Sequence, residues 1–255
     1  MPLVETDLHG GVMTITLADE ERRNSLSLQL TSELVAALDI ADNDPEVRVV
    51  VLTNRGTVFC AGANLAERSS TGTAAIPGSS IDPRALFGRF GHSPKPYVGR
   101  IAGHCVAGGM GLAAALDISV AVDHATFGFT EVRVGVAPAM ISVVCLPKMR
   151  LADAQAAFLR GHRFPAAEAV RMGLISSAVP ADRLDEEVDA IVRDLLAGGP
   201  HAIAAAKQLM AVVPSLSEDK AFGWTAELSA ALFSGDEARE GMAAYLEKRP
   251  ASWVL

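Results

Sequence analysis

The spacing of apolar residues predicts strands and helices that alternate through the first half of the chain. β-Branched residues fill Val12–Leu17, which predicts a strand, and the nearly continuous apolar run at 47–53 predicts a strand covered on both faces. Leucines recur at every fourth position from Leu30 to Leu38, which predicts a helix capped by Ser27. Further elements are expected as strands at Tyr97–Ile101, Ile118–Val122 and 126–129, and as a buried helix at 108–116. This alternation is typical of α/β folds.

Helical spacing dominates from Leu151 onward, with a short apolar run at 174–179. Asp182 stands where a side chain would cap the helix that follows this run. Helices are predicted at 184–196, 201–210, 218–233 and 237–248. Segment 69–80, which is rich in Ser, Gly and Ala, predicts a surface loop, and a flap over a ligand is the second interpretation.

The composition of the chain argues against several classes of protein. The 255 residues carry a formal charge of -8 and contain no block of Lys and Arg, which argues against nucleic-acid binding. No apolar run reaches the roughly 20 residues that a membrane span needs. The chain start shows no secretory signal, and the widely spaced Cys60, Cys105 and Cys145 predict buried, reduced thiols. We therefore expect a cytoplasmic protein with no membrane span.

Two loops with small residues are the first candidates for chemistry. One covers residues 59–65 after a predicted strand, and the other covers 107–111 where a helix begins. Small residues let a ligand approach the backbone, and N–H groups at a helix N-terminus favour negative charge. Two such loops could supply a pair of oxyanion donors, although each loop taken alone is better explained by tight turns and helix packing. Motifs of serine hydrolases, phosphate-binding loops and metal sites are absent.

Glu131 is the candidate acid or base, because a glutamate among apolar residues at a strand end can have a raised pKa. Pairing with Arg133 is the plain structural alternative, and His104 is expected to be a core imidazole with satisfied hydrogen bonds. A rival interpretation also uses these residues: Gly109, Gly111 and Ala114 match the G-x-G-x-x-A dinucleotide fingerprint, with Glu131 about 20 residues further on.

Four segments together resemble the crotonase superfamily, that is, the enoyl-CoA hydratase/isomerase family. They are the two loops, the segment 126–138 around Glu131, and the helix at 240–249. The resemblance implies an α/β fold, a spiral of β-β-α turns followed by a C-terminal helical trimerisation region. It implies a spiral core at 1–195 carrying the acyl-CoA site and a helical region at 196–255. The expected assembly is a homotrimer or hexamer.

The same resemblance implies roles for individual residues. The substrate would be an acyl-CoA thioester, with no cofactor beyond the coenzyme A of that substrate and no metal. The backbone N–H groups of Ala63 and Gly108 would hold the thioester oxygen, and Glu131 would move the proton at carbon. The positions that would bind substrate or coenzyme A are Arg23, Leu26, Ala61, Asn64, Leu65, Phe233 and Lys248.

One departure from the family pattern affects the predicted reaction. The family's other glutamate falls on Gly111, so this chain has one carboxylate where hydratases of the common type have two. A single carboxylate suits double-bond isomerisation, in which one proton moves between C2 and C4. Residues 131–142 nevertheless resemble hydratases of the methylglutaconyl-CoA type, in which Arg133 could pair with a substrate carboxylate.

We therefore expect an enoyl-CoA hydratase active in fatty acid metabolism. The alternative is an enoyl-CoA isomerase with Glu131 as the only proton shuttle. An NAD-dependent oxidoreductase and a catalytically silent CoA-binding relative are the remoter possibilities.

Overall fold

The computed structural model describes residues 2–70, 82 and 84–254. Two sheets organise this part of the chain. The larger has the strand order β1-β2-β3-β5-β7-β10, and the smaller has the order β4-β6-β8-β9. The strands are β1 Val4–His9, β2 Val12–Leu17, β3 Val49–Asn54, β4 Val58–Cys60, β5 Tyr97–Ile101, β6 His104–Val106, β7 Ile118–Val122, β8 Thr126–Gly128, β9 Phe164–Pro165 and β10 Ser177–Val179.

The chain climbs through these sheets as a spiral. Each turn places one strand in the larger sheet and the next in the smaller sheet before a helix follows, as in β5, β6 and α3. Strands β2, β3, β5, β7 and β10 pair in parallel, whereas β1 pairs antiparallel with β2. In the smaller sheet, β4, β6 and β8 are parallel and β9 is antiparallel to β8. The mixed α/β spiral with C-terminal helices agrees with the predicted fold class.

The helices surround and follow the sheets. They are α1 Leu28–Asn43, α2 Leu65–Ser70, α3 Gly108–Ala115, α4 Ala139–Cys145, α5 Leu151–Arg160, α6 Ala166–Arg171, α7 Leu184–Ala197, α8 Pro200–Val212, α9 Glu218–Ser234 and α10 Asp236–Glu247. Helix α3 is buried almost throughout, because it carries no charged residue and several small ones. Its N-terminus therefore meets the ends of β4 and β6 inside the molecule. Within the described ranges, no helix has the length and apolar character to cross a bilayer.

The sequence predicted capping residues for two helices and one surface loop. Ser27 caps α1 as predicted, since its Oγ accepts a hydrogen bond from the N–H of Leu30 at 3.1 Å. The predicted cap at Asp182 is wrong: Asp182 lies in a 3-10 turn, and α7 has Arg183 at its N-cap without a side-chain bond. The predicted loop at 69–80 lies outside the described residues except for its first two positions.

Candidate active site

The two small-residue loops meet at one junction. Gly62 has a φ of +83°, and a Cβ built on it would lie 2.6 Å from the Cβ of Ala107 and 2.8 Å from the backbone N of Gly108. A Cβ on Gly108 would lie 3.3 Å from the Cα of Gly62 and 3.8 Å from the backbone N of Ala63. Only glycine permits this close approach of the two loops. The approach brings the backbone N atoms of Ala63 and Gly108 close to each other.

The turn before α1 supports the first loop. The N–H of Leu26 donates to the Gly62 carbonyl at 2.7 Å, and the N–H of Ala61 donates to the Arg23 carbonyl at 3.1 Å. The Leu26 side chain continues over the second loop, where its Cδ1 would lie 2.8 Å from a Cβ on Gly108. Arg23, Leu26 and Ala61 therefore lie beside the junction, and their expected role in binding substrate or coenzyme A stays a prediction.

The second loop enters α3 through a constrained residue. Ala107 has φ 49° and ψ −124°, a conformation that a residue with a Cβ rarely adopts. Its N–H donates to the carbonyl of Gly128 at 2.9 Å, and its carbonyl accepts from the N–H of Met110 at 2.8 Å. Gly108 follows as the first helical residue, so its N–H belongs to the group that no helical carbonyl can accept. The positive end of the helix dipole lies at the junction.

Glu131 follows the same strand end to which Ala107 is bonded. It begins a 3-10 turn three residues after Gly128 and is half-buried. Its Oε2 is buried and has no hydrogen-bond partner among the described residues. Burial raises the pKa of this carboxyl, and the hydrogen bond from its own backbone N–H opposes that shift. A half-buried carboxyl with a raised pKa is a candidate for proton transfer.

The position of the missing family glutamate is filled by apolar side chains. Gly111 lies on the buried face of α3, and a Cβ built there would lie 2.4 Å from Cγ2 of Ile141 and 2.9 Å from Cε1 of Phe87. Ile141 and Phe87 are 3% and 6% exposed. The sequence showed that the carboxylate is absent, and the structure adds that the space for it is closed.

The rival dinucleotide-binding interpretation does not fit the structure. Gly109 and Gly111 lie inside α3, where the fingerprint needs a loop between strand and helix. A Cβ on Gly109 would lie 2.4 Å from the carbonyl oxygen of Cys60, so this glycine serves close packing of α3 on β4. Glu131 lies in a 3-10 turn rather than at the end of a neighbouring strand that could present it to a ribose.

The remaining substrate-binding candidates divide into two groups. Asn64 caps α2, since its Oδ1 accepts from the N–H groups of Ala66 at 3.2 Å and Glu67 at 3.3 Å, and Leu65 is the exposed first residue of that helix. Both follow Ala63 directly and so lie near the junction. Phe233 and Lys248 belong to α9 and to the end of α10.

These two C-terminal residues do not take part in the contacts that build the junction. Phe233 is 68% exposed on α9, a helix that buries none of its residues. Lys248 is exposed in the left-handed region that ends α10. Their predicted role at the nucleotide end of coenzyme A stays a prediction.

His104 and Arg133 are accounted for by structural contacts. Nδ1 of His104 accepts the N–H of Thr126 at 3.0 Å, as expected of a satisfied core imidazole. The guanidinium of Arg133 donates to the carbonyl of Arg160 at 3.0 Å, at the end of α5. Sequence reasoning missed the packing of Phe87 and Ile141 against Gly111, and it placed Ala107 in the second loop without predicting its backbone conformation. Their roles come from backbone angles and tertiary contacts, for which the sequence carries no local signal.

Comparisons with known proteins assign the chain to a family. The family model described as enoyl-CoA hydratase/isomerase matches residues 7–254. The chain belongs to the enoyl-CoA hydratase/isomerase family. A Thermus thermophilus protein carrying an enoyl-CoA hydratase name is 36% identical over 244 residues, covering 94% of this chain and 96% of that protein. The mevalonyl-coenzyme A hydratase sidH of Aspergillus fumigatus is 30% identical, over 95% of this chain and 91% of its own.

Solved structures of the family show the same fold. An enoyl-CoA hydratase of Mycobacterium smegmatis superposes with a TM-score of 0.93 and 28% identity, covering 99% of each chain. Human enoyl Coenzyme A hydratase domain-containing protein 3 has a TM-score of 0.93 at 23% identity, covering 98% of this chain and 100% of its own. Membership of the enoyl-CoA hydratase/isomerase family makes this chain an enzyme of that family with a hydratase-like function.

Proposed function

We propose that this chain hydrates 2-enoyl-CoA thioesters, with Ala63 and Gly108 as oxyanion donors and Glu131 as acid and base. The observation that carries the proposal is the junction itself. Two backbone N atoms converge there at a helix N-terminus, and the strand end bonded to Ala107 leads directly to a half-buried carboxyl whose Oε2 has no hydrogen-bond partner among the described residues. Hydratase-named relatives at 30–36% identity over most of the chain favour hydration over isomerisation.

The geometry suits chemistry through a thioester enolate. When water attacks C3 of the enoyl group, negative charge moves to the thioester oxygen. Two preorganised N–H donors stabilise that charge more in the transition state than in the ground state. Glu131 moves the proton that hydration requires, and the raised pKa of its carboxyl makes the ionised form a stronger base.

Coenzyme A would lie along the turn before α1 and the start of α2. Arg23 is exposed and lines a surface pocket of about 260 Å³ together with Arg55, Glu20 and Glu21. A guanidinium at this point suits the phosphates of coenzyme A. Leu26, Ala61, Asn64 and Leu65 would line the path of the acyl-pantetheine arm, and Phe233 and Lys248 would contribute at the nucleotide end. No cofactor beyond coenzyme A is part of the proposal.

The proposed assembly is a homotrimer or hexamer in the cytoplasm. Large apolar side chains are exposed on the C-terminal helices, a pattern that marks interaction surfaces. They include Phe222, Phe233, Met242, Tyr245 and Leu246. A role in fatty acid metabolism follows from the proposed substrate class.

A substrate panel tests the proposal. The purified protein is incubated with crotonyl-CoA, a 3-enoyl-CoA and 3-methylglutaconyl-CoA while the absorbance of the conjugated thioester is followed and products are identified by mass. We expect absorbance to fall and the product to gain the mass of one water with a conjugated substrate. Rising absorbance from the 3-enoyl substrate at unchanged mass, with no hydration, would contradict hydration and identify an isomerase.

A further inference from the structure

Helix α9 carries an exposed apolar stripe. Phe222, Ala226, Ala230 and Phe233 recur at every third or fourth position, so they share one side of the helix, and all four are exposed. None of the 17 residues of α9 is buried. Helices in proteins owe most of their stability to the packing of one apolar side. The stripe therefore needs a surface to pack against.

A second exposed apolar surface lies on the spiral core. We call it the α4–α5 face, defined as the exposed residues of 132–160. The turn at its start adjoins the end of α5, because a Cβ on Gly161 would lie 2.5 Å from Cγ2 of Val132 and the guanidinium of Arg133 donates to the carbonyl of Arg160 at 3.0 Å. Its apolar side chains that are more than half exposed are Val134, Val136, Val143, Leu151 and Leu159.

The two surfaces carry opposite charge. Helices α9 and α10 together contain seven acidic and two basic residues, whereas residues 132–160 contain four basic residues and one acidic residue, Asp153. Asp153 is buried and is already paired with Arg150 and Arg171. The α4–α5 face is therefore a basic surface on a chain whose formal charge is -8.

The charges beside the two apolar surfaces are not neutralised within the chain. Asp219 and Glu227 are exposed on α9, each three residues before an apolar residue of the stripe. Arg133 and Arg160 are exposed on the α4–α5 face. Among the described residues, none of these four side chains has an ion-pair partner. Each surface thus combines exposed apolar side chains with unpaired charges of one sign, and the other surface carries the complement.

We propose that α9 of one copy packs its apolar stripe on the α4–α5 face of a second copy, with Asp219 and Glu227 directed at the basic side chains of that face. This inference rests on the assembly of identical copies in the proposed function and not on the proposed reaction. The face begins one residue after Glu131, so the contact lies beside the candidate site.

Charge decides between this arrangement and a symmetric one. If like surfaces met, Arg133 and Arg160 would face their own copies, or Asp219 and Glu227 would, and like charges brought together across an interface oppose association. A head-to-tail contact joins opposite charges at every step. Such a contact forms a finite particle only if it closes into a ring, as in a homotrimer.

Crosslinking identifies the surface that α9 contacts. Phe222→p-benzoylphenylalanine is prepared as a mixture of nitrogen-15-labelled and unlabelled chains and irradiated, and the joined peptides are identified by mass. We expect crosslinks between differently labelled chains that join α9 to residues 132–160. Leu8→p-benzoylphenylalanine, on exposed β1, is the control and is expected to give no crosslink between chains. Crosslinks from α9 to α9, to another segment only, or to no other chain would overturn the inference.

Charge reversal tests the complementarity. Asp219→Lys/Glu227→Lys makes α9 basic, and Arg133→Glu/Arg160→Glu makes the α4–α5 face acidic. We expect each double variant to associate at least about 10-fold more weakly at low ionic strength in sedimentation equilibrium. The variant with all four substitutions restores opposite charges and should recover the mass of the unaltered protein. The control Asp189→Lys/Asp194→Lys, at exposed positions of α7, should keep that mass.

Two results of this experiment would overturn the inference. One is that both double variants keep the mass of the unaltered protein. The other is that the four-substitution variant stays dissociated although circular dichroism shows it folded. A single-chain mass for the unaltered protein would remove the inference together with the proposed assembly. Hydration is measured separately with the substrate panel, so its failure there would leave the proposed contact standing.

Discussion

At the scale of single residues, the candidate site depends on backbone positions that only certain residues can occupy. Gly62 and Gly108 allow two loops to approach within a distance that any Cβ would block. Ala107 adopts a strained conformation between a bond to β8 and a bond within α3. Strain of this kind costs of order 1–3 kcal/mol and persists where the surroundings fix the residue. It fixes the point at which α3 begins, with Gly108 as its first residue beside the junction.

Replacing Gly108 by Ala tests the junction. The added Cβ would lie 2.8 Å from Cδ1 of Leu26 and 3.8 Å from the N of Ala63, so it enters the space between the two donors. We expect kcat to fall by about 100-fold, the usual effect of losing an oxyanion donor. Gly223→Ala is the control, because nothing lies within 4 Å of its Cβ position on exposed α9. Equal activity of both variants would contradict the oxyanion role.

The raised pKa of Glu131 also affects how the free energy of unfolding changes with pH. Its pKa is raised in the folded protein, so above the ordinary glutamate pKa of 4.5 the folded state holds a proton that the unfolded state has lost. The stabilisation from the neutral carboxyl is complete below that pH and disappears as pH rises through the raised value. We expect Glu131→Gln to increase the urea midpoint at pH 7 and to leave it unchanged near pH 4. A lower midpoint at pH 7 would contradict the raised pKa.

At the scale of elements, α8 is fastened to the spiral by a buried lysine. Nζ of Lys207 donates to Oδ2 of Asp117 at 2.6 Å and to the carbonyls of Phe90 and Lys95 at 2.8 and 2.7 Å. The same carboxylate oxygen accepts the N–H of Tyr97 at 2.7 Å, at the start of β5. One ammonium group therefore joins α8 to the loop before β5 and to the end of α3.

Removing this lysine should destabilise the fold. Lys207→Met leaves a partly buried carboxylate and two carbonyls without their donor, and losing one partner of a buried pair typically costs about 3–5 kcal/mol. Lys220→Met on exposed α9 is the control. Urea unfolding at one fixed protein concentration measures both variants. Similar midpoints for the two would show that α8 does not depend on this ion pair.

The sequence predicted best those elements that bury one face, because burial gives their apolar residues a regular spacing. Strands β2 and β7 and helix α1 have clear apolar periodicity, and Ser27 had an unambiguous cap position. Strand β1 was not predicted, because most of its side chains are exposed and its polar and apolar residues form no clear pattern. The cap assigned to Asp182 was wrong because the chain forms a 3-10 turn before α7.

The sequence predicted those parts of the candidate site that carry a local motif. The two loops and Glu131 carry such motifs, and the structure brings the loops together. The filling of the space beside Gly111 depends on Ile141 and Phe87, which are distant in sequence and meet only after folding. Periodicity cannot predict contacts of this kind.

At the scale of the whole molecule, large exposed apolar side chains lie in two main stretches, residues 132–159 and the C-terminal helices, and the most exposed aromatic ones lie on the C-terminal helices. Tyr245 and Leu246 are 84% and 79% exposed at the end of α10. Burying an apolar side chain of this size is favourable by about 1.5–3 kcal/mol, so a cluster of exposed ones favours association. The low aromatic content of the chain makes this concentration of Phe and Tyr more distinctive.

Association should be visible in the mass of the particle in solution. Sedimentation equilibrium is expected to give three or six times the 26.6 kDa of one chain. Leu246→Asp places a charge on the exposed apolar surface and is expected to lower that mass, whereas Leu8→Asp, on exposed β1, leaves it unchanged. A mass of 26.6 kDa for the unaltered protein at micromolar concentration would contradict the proposed assembly.

The most direct test of the central claim follows the oxygen of water into the product. Crotonyl-CoA is incubated in oxygen-18-labelled water with the unaltered protein, with Glu131→Gln, and with Glu46→Gln as an exposed control. We predict a 3-hydroxyacyl-CoA labelled at C3 from the unaltered protein and the control, and a rate reduced by at least about 100-fold in Glu131→Gln. Labelled product from Glu131→Gln at the unaltered rate would contradict the assignment of Glu131 as the group that moves the proton.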